Sequence, residues 1–531
     1  MNSTSPPWQA ADFATLFEAV ASRVPPERLA LIHGDRQISW AALRCEVNRV
    51  ASGLIAFGLK SGDVVGQQMR NSPDYMITFF ACARAGLTPV NLNYHYKASE
   101  LRDIMTRFDV RMVVHDREFE HVTTEAVGTE NIILIDTEDG LAGLSEAGAN
   151  ETDVAMPEAE RLFFVATGGT TGMPKAVMWR QQDSAQALMI PIWPMPPGMP
   201  PMVSESLDDH SAKAAAMPPA RALILSPMMH GVGLYSALIS LLRGGAVVTL
   251  PGANFNPDAV IDTVRDTQAL SLVLVGDAFA FPLVTALHAR SDAVEALASL
   301  KMLSSSGAVF SESNKTALIA INPAMMVVDA LGSSESAGTA VKITTAAGTM
   351  GGDAFTPVPG RDVRLFNADG SPLPKGPGEG IVGRSGPLPL GYYKEPELSA
   401  RTFPTVGGVR YLVTGDRARI EEDGTITFLG RDNLCINTGG EKVFPEEVET
   451  CLCAHPAVHD ARVFGIADPR FGQKIVAVVQ GDGAAQAEIE AYVRGALATY
   501  KAPRLWYFTD RYLRLNNGKP DYKTARDVAG A

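Results

Sequence analysis

The chain has 531 residues, of which 46% are hydrophobic and 20% are charged, and its formal net charge at pH 7 is −13. One hydrophobic core rarely serves a chain of this length, so two or more domains are predicted. The acidic balance argues against a nucleic-acid-binding protein, because no basic stripe is present to neutralise phosphates.

Three features predict a cytoplasmic protein. The N-terminal segment lacks a basic region followed by an apolar one, so no signal peptide is predicted. Five cysteines without zinc-site spacing indicate free thiols in a reducing compartment. Residues 222–242 carry no formal charge over about the length of a membrane span, but Pro227, His230 and several glycines divide the stretch. A buried strand, loop and helix are predicted there instead.

Short apolar runs alternate with polar breaks and helical patterns between about residues 161 and 335. The runs are RLFFVA, RALILS, AVVTL, LSLVLVG, LKMLSSS and MMVVDA. This alternation predicts an α/β fold with largely parallel strands. The loops TGGTTG, PMMHGVG, GDAFA, SSGA and LGSSES follow strands, so they are expected to line one ligand site at the carboxyl edge of the sheet.

Two further segments do not follow this alternation of strand and helix patterns. Residues 183–220 are rich in Pro, Met and Ala without a sustained period, which predicts an irregular surface insertion or lid. After about residue 430, short strand and helix patterns predict a separate α+β domain. The predicted domains are residues 1–431 and 432–531.

A loop rich in Thr and Gly precedes a single lysine after the first of these runs. Backbone N–H groups, threonine hydroxyls and an ammonium group together bind phosphate oxygens. A Walker A loop does not fit, because Met173 and Pro174 separate Gly172 from the lysine and no hydroxyl residue follows it. The candidate phosphate-binding residues are Thr167, Gly168, Gly169, Thr170, Thr171, Gly172 and Lys175.

The stretch TGGTTGMPKAV resembles the phosphate loop of the adenylate-forming superfamily, which comprises acyl- and aryl-CoA synthetases, firefly luciferase and the adenylation domains of peptide synthetases. The motifs LGSSES, YLVTGD, GRDNLCINTGGEK and LRLNNGKPDYK follow in the family's order. The resemblance covers nearly the whole chain. It implies a large N-terminal domain of several subdomains with largely parallel sheets, and a small mobile α+β C-terminal domain.

The resemblance also implies the residues that bind ATP. Glu335 would coordinate Mg²⁺ with Thr170 or Thr171, and Lys519 would be the catalytic lysine that spans the carboxylate and the α-phosphate. Asp416 would accept hydrogen bonds from the ribose hydroxyls. The other implied ATP-binding residues are the phosphate loop itself, Gly332, Ser333 and Ser334 beside the adenine and α-phosphate, and Arg431 near the ribose. Leu331, Ser334 and Asn517 depart from the residues usual at their positions.

In a second half-reaction the family transfers the acyl group to CoA after the small domain rotates. The resemblance implies a hinge at Asp432 or Asn433, where Asn433 replaces the usual Asp or Lys. Gly439, Gly440 and Glu441 would then line the CoA tunnel. His230 would lie at the inner mouth of this tunnel.

The acid substrate is predicted from three loops that should form the acyl pocket. The candidate residues are Met229, His230, Gly231, Asp277, Ala278, Ser306 and Gly307. These loops contain no Lys or Arg, so a hydrophobic acid of the medium-chain, long-chain or sterol-side-chain type is favoured. An aryl acid, a carrier-protein thiol as acceptor, and a non-catalytic nucleotide sensor remain alternatives. A homodimer is one assembly left open.

Overall fold

The structure is a computed structural model. It describes residues 11–148, 160–167, 174–189, 197–199, 202–308, 310–350, 352, 354–431, 436–438, 441–443, 445–468, 472–497, 501–515 and 518–531. At residues 431, 437, 438, 441, 442 and 472 it describes the backbone alone.

The helices of the described residues are α1 (Phe13–Ala21), α2 (Trp40–Ala56), α3 (Pro73–Ala85), α4 (Ala98–Arg107), α5 (Glu120–Val127), α6 (Asp139–Ala147), α7 (Gln181–Leu188), α8 (Leu207–Ala216), α9 (Gly231–Leu242), α10 (Pro257–Thr267), α11 (Gly276–Ala289), α12 (Ala293–Ala296), α13 (Glu312–Ile321), α14 (Pro396–Thr402), α15 (Pro445–Cys453), α16 (Gln486–Ala496) and α17 (Tyr522–Ala529).

The strands of the described residues are β1 (Leu29–His33), β2 (Arg36–Ser39), β3 (Val64–Gln68), β4 (Thr88–Asn91), β5 (Val110–His115), β6 (Ile133–Asp136), β7 (Leu162–Thr167), β8 (Lys175–Arg180), β9 (Arg221–Ile224), β10 (Ala246–Thr249), β11 (Ser271–Leu274), β12 (Met302–Ser306), β13 (Met326–Leu331), β14 (Ala340–Thr345), β15 (Gly348–Met350), β16 (Thr356–Pro357), β17 (Val363–Phe366), β18 (Gly378–Arg384), β19 (Gly391–Tyr392), β20 (Thr405–Val406), β21 (Val409–Arg410), β22 (Leu412–Ile420), β23 (Ile426–Arg431), β24 (Ile436–Thr438), β25 (Glu441–Val443), β26 (Val458–Asp468), β27 (Gly472–Gly481) and β28 (Leu505–Thr509).

Two large sheets form the centre of the N-terminal part. The first sheet has the strand order β15-β14-β13-β12-β11-β9-β10-β1-β2, with β16 beside β14, and the second has the order β19-β8-β7-β4-β3-β5-β6. Strands β9 to β13 pair in parallel, as do β3 to β7 in the second sheet. The predicted α/β fold with largely parallel sheets is therefore confirmed, although RLFFVA becomes β7 of the second sheet and the other runs form the first.

Helix α9 follows β9 and returns antiparallel to it across the first sheet. Leu234, Leu238 and Leu241 are buried in the core on one side of the helix, as the 3.6-residue period requires. Close contact fixes its first turn, because a Cβ atom added at Gly233 would lie 2.4 Å from the Ser226 carbonyl oxygen. The predicted strand, loop and helix over 222–242 are confirmed.

The prediction of an irregular insertion over residues 183–220 is wrong for part of that segment. Helix α7 extends into it, and α8 occupies Leu207–Ala216. The Ser206 hydroxyl caps α8 by accepting a hydrogen bond from the Asp209 N–H at 3.1 Å. A capping serine followed by alanine-rich turns is a helix signal, but the prolines and methionines on both sides masked it in the sequence.

A smaller sheet forms the C-terminal part, with the order β25-β24-β27-β26 and β28 beside β27. Helices α15, α16 and α17 accompany it, so the predicted α+β character is confirmed. The boundary after residue 431 stays a prediction, because residues 432–435 lie outside the described residues. Among the described helices, none has both the length and the apolar content needed to cross a bilayer.

Candidate active site

A cavity of about 700 Å³ lies between the first sheet, the β7–β8 pair and the C-terminal part. Residues from distant segments line it together, among them Lys175, His230, Glu335 and Lys519. Four of the predicted functional positions thus meet at one cavity. Thr167, Gly231, Gly332, Ser333, Ser334, Ser306 and Gly307 line it as well.

Lys175 and Thr167 are neighbours across the antiparallel strands β7 and β8. The register pairs Thr167 directly with Lys175, so the two ends of the glycine-rich loop are tied together beside the cavity. The Lys175 ammonium lies 5.7 Å from the centre of the Tyr392 ring, within range of a cation–π contact. The two ends of the predicted phosphate loop, Thr167 and Lys175, therefore lie together at the cavity, and Lys175 brings a positive charge to it.

The Glu335 carboxylate accepts a hydrogen bond from the Tyr392 hydroxyl at 2.9 Å. Burial, followed by the adjacent Glu335 charge, raises the pKa of Tyr392, so its hydroxyl remains a donor at neutral pH. Tyr392 belongs to β19, which pairs with β8. The sequence analysis did not single out Tyr392, since a two-residue strand gives no periodic signal.

The loop that carries Glu335 is held by contacts to its carbonyl groups. The Ser334 carbonyl accepts hydrogen bonds from the Trp179 indole at 2.9 Å and the Tyr235 hydroxyl at 2.8 Å. A Cβ atom added at Gly332 would lie 2.8 Å from the Cα of Gly338, so only glycine fits there. The loop is a fixed platform for the carboxylate.

Asp416 and Arg431 are cross-strand neighbours on β22 and β23. The Thr414 hydroxyl donates a hydrogen bond to the Asp416 carboxylate at 2.5 Å. Asp416 lines a small side pocket that also contains Gly332 and Ser333. The predicted ribose-binding carboxylate therefore lies next to the predicted adenine segment, beside the main cavity.

His230 precedes α9 and lines the cavity; the residue is half-buried, and its Nε2 atom is shielded from solvent. Its loop is fixed by the segment that precedes α3, because the Asn71 side chain accepts a hydrogen bond from the Met228 N–H at 2.6 Å and donates one to the Ser226 carbonyl at 2.9 Å. Among the described residues the His230 Nε2 atom has no hydrogen-bond partner. Burial first, then the charges of Lys519 and His95, lower the pKa of His230 to about 3. The imidazole is therefore neutral at physiological pH.

We expect His230→Gln to change the pH dependence of stability. The folded pKa is lowered, so the stabilising contribution is present above the unfolded pKa of about 6.5 and is lost as pH falls from there towards about 3. Between pH 7.5 and 5.5 the wild type should lose about 1.4 kcal/mol of unfolding free energy relative to the variant. Urea unfolding at the two pH values measures this difference. Equal losses in both proteins would contradict a neutral buried His230.

Lys519 reaches the cavity on a tight turn of the C-terminal part. The Leu515 N–H donates to the Lys519 carbonyl at 2.8 Å, and the buried Arg514 guanidinium donates to the Gly518 carbonyl at 3.1 Å. Arg514 is in turn ion-paired with Asp460 at 2.8 Å. Gly518 has a φ of +79° and packs beside Ala278 and Val275 of the N-terminal part.

We expect Gly518→Ala to slow the adenylation step for which Lys519 is predicted as the catalytic lysine. A Cβ there would lie 3.2 Å from the Ala278 Cβ, and the left-handed backbone costs a non-glycine residue about 1–2 kcal/mol. Acid-dependent pyrophosphate release should fall about tenfold. Gly530→Ala is the matched control, because Gly530 has a similar φ of +67° with open space around it. Equal rates for the two variants would contradict a docked Gly518.

An inner extension of the cavity lies between α9 and the first sheet. Its α9 side is lined by Val232, Ser236, Ile239, Ser240 and Arg243, and its sheet side by Ala222, Ser271, Val273, Met302, Ser304, Val328 and Ala330. Met229, Asp277 and Ala278, which were predicted to contact the acid, do not line the cavity. The Asp277 carboxylate instead accepts hydrogen bonds from Ser311 and Asn314 at the start of α13.

Arg243 was not predicted at this site. The three loops considered from the sequence contain no basic residue, whereas Arg243 lies at the far end of α9 and still lines the cavity. A basic residue directly after a helix is common as a surface charge that compensates the helix dipole, so no local pattern indicated a cavity-lining role.

Several predicted residues lie outside the described residues. These are Gly168, Gly169, Thr170, Thr171, Gly172, Asp432, Asn433, Gly439 and Gly440, and the side chains of Arg431 and Glu441. Their predicted roles stay predictions.

This chain is similar to known proteins in both sequence and fold. Residues 17–393 match the AMP-binding enzyme family, and residues 447–519 match the AMP-binding enzyme C-terminal domain. A medium/long-chain-fatty-acid–CoA/3-oxocholest-4-en-26-oate–CoA ligase of Mycobacterium tuberculosis is 37% identical over 98% of this chain and 97% of its own. A 3-oxocholest-4-en-26-oate–CoA ligase of Rhodococcus rhodochrous is 34% identical, over 98% of this chain and 96% of that ligase. The crystal structure of ATP-bound MatB from Rhodopseudomonas palustris has a TM-score of 0.79 and 25% identity, covering 97% of this chain and 99% of that one.

These matches cover more than half of the chain by family and nearly all of it by individual relatives. The chain belongs to the AMP-binding enzyme family.

Proposed function

We propose that this chain is an AMP-forming acid–CoA ligase. It activates a hydrophobic carboxylic acid with ATP, releases pyrophosphate, and transfers the acyl group to CoA. The observation that carries this proposal is the meeting of Lys175, Glu335, His230 and Lys519 at one cavity that continues between α9 and the first sheet. The relatives that are named as fatty-acid and sterol-acid CoA ligases support the same reaction.

Forming the acyl-adenylate requires positive charge more than acid–base catalysis. A carboxylate oxygen attacks the α-phosphorus of ATP, the bond to the bridging oxygen breaks, and pyrophosphate leaves in line. Lys519 at the junction of the acid and the α-phosphate would stabilise the charge of both. Lys175 and the phosphate loop would bind the leaving phosphates. Each cation acts by preorganised electrostatic stabilisation.

The residues present fit a magnesium ion. One or two carboxylates together with substrate phosphates are a typical Mg²⁺ site, and Glu335 supplies such a carboxylate on a rigid loop beside the cavity. When bound, Mg²⁺ would neutralise phosphate charge in the first half-reaction. Thr170, proposed as a second donor, lies outside the described residues. Asp416 would accept hydrogen bonds from the ribose hydroxyls, with Arg431 beside it.

The second half-reaction would use the other face of the small domain. We propose rotation at Asp432 or Asn433, which removes Lys519 and brings Gly439, Gly440 and Glu441 towards CoA. The CoA thiolate attacks the acyl carbonyl and AMP leaves. The neutral His230 would border the path of the thiol without adding a charge to it.

The acid should be a medium- or long-chain fatty acid or a sterol side-chain acid. Val232, Ile239 and Val273 give the inner cavity its apolar lining, and α9 sets its length. From His230 to Arg243 the helix rises about 20 Å, similar to an extended long-chain acid. The cytoplasm as location and a homodimer as assembly are further predictions from the sequence.

A panel of fatty, sterol-derived and aromatic acids tests this function. With purified protein, ATP and Mg²⁺, pyrophosphate release should depend on the added acid. Addition of CoA should yield the thioester. ATP binding without turnover across the panel would favour a nucleotide sensor, whereas pyrophosphate release that does not depend on any acid would contradict the proposed activation of an acid. Adenylation without transfer to CoA would favour a carrier-protein ligase.

A further inference from the structure

The loop that carries Glu335 ends in a strained backbone. Ala337 has a φ of +46°, in the left-handed region that disfavours a residue with a side chain. Ala337 is buried, and it lines the cavity close behind Glu335 in the chain. Backbone strain of this kind persists only where the surrounding structure holds the chain in place, and it is common at functional sites. The contacts of this loop therefore show what holds it.

Two buried arginines hold the peptide group that follows Ser336. The Arg361 guanidinium donates a hydrogen bond to the Ser336 carbonyl at 3.2 Å, and the Arg384 guanidinium donates to the same oxygen. Arg384 also donates to the Pro387 carbonyl at 2.9 Å. Arg361 also donates to the Ala187 carbonyl of α7 at 2.9 Å. Two donors that are anchored on different segments thus fix one carbonyl, immediately before the strained residue.

Stability alone does not account for this pair of arginines. Arg361 is 5% exposed and Arg384 is 1% exposed. Within the part of the chain that the structure describes, their hydrogen bonds go to carbonyl groups rather than to carboxylates, and the Nε atom of each has no partner. Burial first, and then the Arg361 charge, lower the pKa of Arg384, so the two charges lie close enough to repel. Buried charges without counter-ions destabilise a fold, which indicates that the pair is retained for the site above it.

We propose that Arg361 and Arg384 are positioning residues for adenylation, because they hold the strained loop that keeps the Glu335 carboxylate at the cavity. Two donors restrict the direction of the Ser336 carbonyl, which a single donor would leave free to turn. Turning of that peptide group would release the strain at Ala337 and move the carboxylate away from the bound phosphates. Neither arginine needs to touch the substrate in this role. This inference rests on the proposed ligase function.

Arg384→Lys tests the positioning role in the full-length protein. Lysine keeps the charge but loses the rigid fork that reaches two carbonyls at once. We expect kcat/KM for acid-dependent pyrophosphate release to fall about 10- to 100-fold. The Mg²⁺ concentration that gives half the maximal rate should rise, because Glu335 is no longer held at the cavity. Wild-type values, or a lower rate with an unchanged Mg²⁺ dependence, would overturn the inference. No acid-dependent release from the wild type would instead contradict the ligase function itself.

Ala337→Gly separates positioning from a general structural role. Glycine adopts the left-handed conformation without strain, so adding Ala337→Gly to Arg384→Lys should restore the rate about tenfold. Gln268→Gly is the matched control, because Gln268 has a similar φ of +51° but is exposed at the end of α10 and does not line the cavity. It should restore nothing. No recovery with Ala337→Gly, or equal recovery with both glycines, would overturn the inference. If Arg384→Lys does not fold, Arg361→Lys combined with the same two glycine variants decides.

Discussion

Lys519→Ala should lower the rate of acid-dependent pyrophosphate release by about 10²–10³-fold, the usual loss on removing a preorganised group that stabilises transition-state charge. The side chain lines the cavity that contains Glu335 and Lys175. Thioester formation from supplied acyl-adenylate and CoA should keep most of its rate, because the proposed second half-reaction does not use this lysine.

Lys523→Ala is the control for this experiment. Lys523 is an exposed lysine in the following helix α17 and does not line the cavity. Its removal should change neither half-reaction. If Lys519→Ala slows both half-reactions equally, or slows neither, the proposed role of Lys519 is wrong.

Glu335→Gln should reduce pyrophosphate release by a similar factor of about 10²–10³. The amide preserves the size of the side chain and an acceptor for the Tyr392 hydroxyl, so the variant removes charge while retaining the local packing. Tyr392→Phe should lower the rate of pyrophosphate release about tenfold, since it removes one hydrogen bond to a charged group. The rates should be measured at several Mg²⁺ concentrations.

The exposed Glu397 on α14 provides the matched control, because Glu397→Gln removes a carboxylate that does not line the cavity. We expect wild-type rates for it. A Glu335→Gln enzyme with the wild-type rate and the same Mg²⁺ dependence would refute a metal-binding role for this carboxylate.

Much of the architecture was predictable because it follows from local patterns. Apolar runs bounded by glycines predicted strands β7 and β9 to β13, and polar loops at their ends predicted where ligands bind. Lys519 was assigned only by the order of motifs, since nothing in its own neighbourhood distinguishes it from a surface lysine. The structure places it on the lining of the cavity with Lys175 and Glu335.

The features that sequence patterns did not reveal depend on tertiary contacts. Tyr392 reaches Glu335 only because β19 pairs with β8. Asp277 follows a strand in the expected way, yet it turns to α13 and stabilises that helix. Arg243 faces the cavity because α9 runs back along the sheet for its whole length. No local periodicity encodes any of these three arrangements.

The pairing of Asp416 with Arg431 has a consequence for the timing of the reaction. Strand β23 ends at Arg431, immediately before the predicted pivot, so the predicted ribose-binding residue Asp416 and this strand end are cross-strand neighbours. A nucleotide bound there would be held by the N-terminal domain while the C-terminal domain rotates. The AMP group derived from ATP would then stay bound through both half-reactions, without dissociating and binding again.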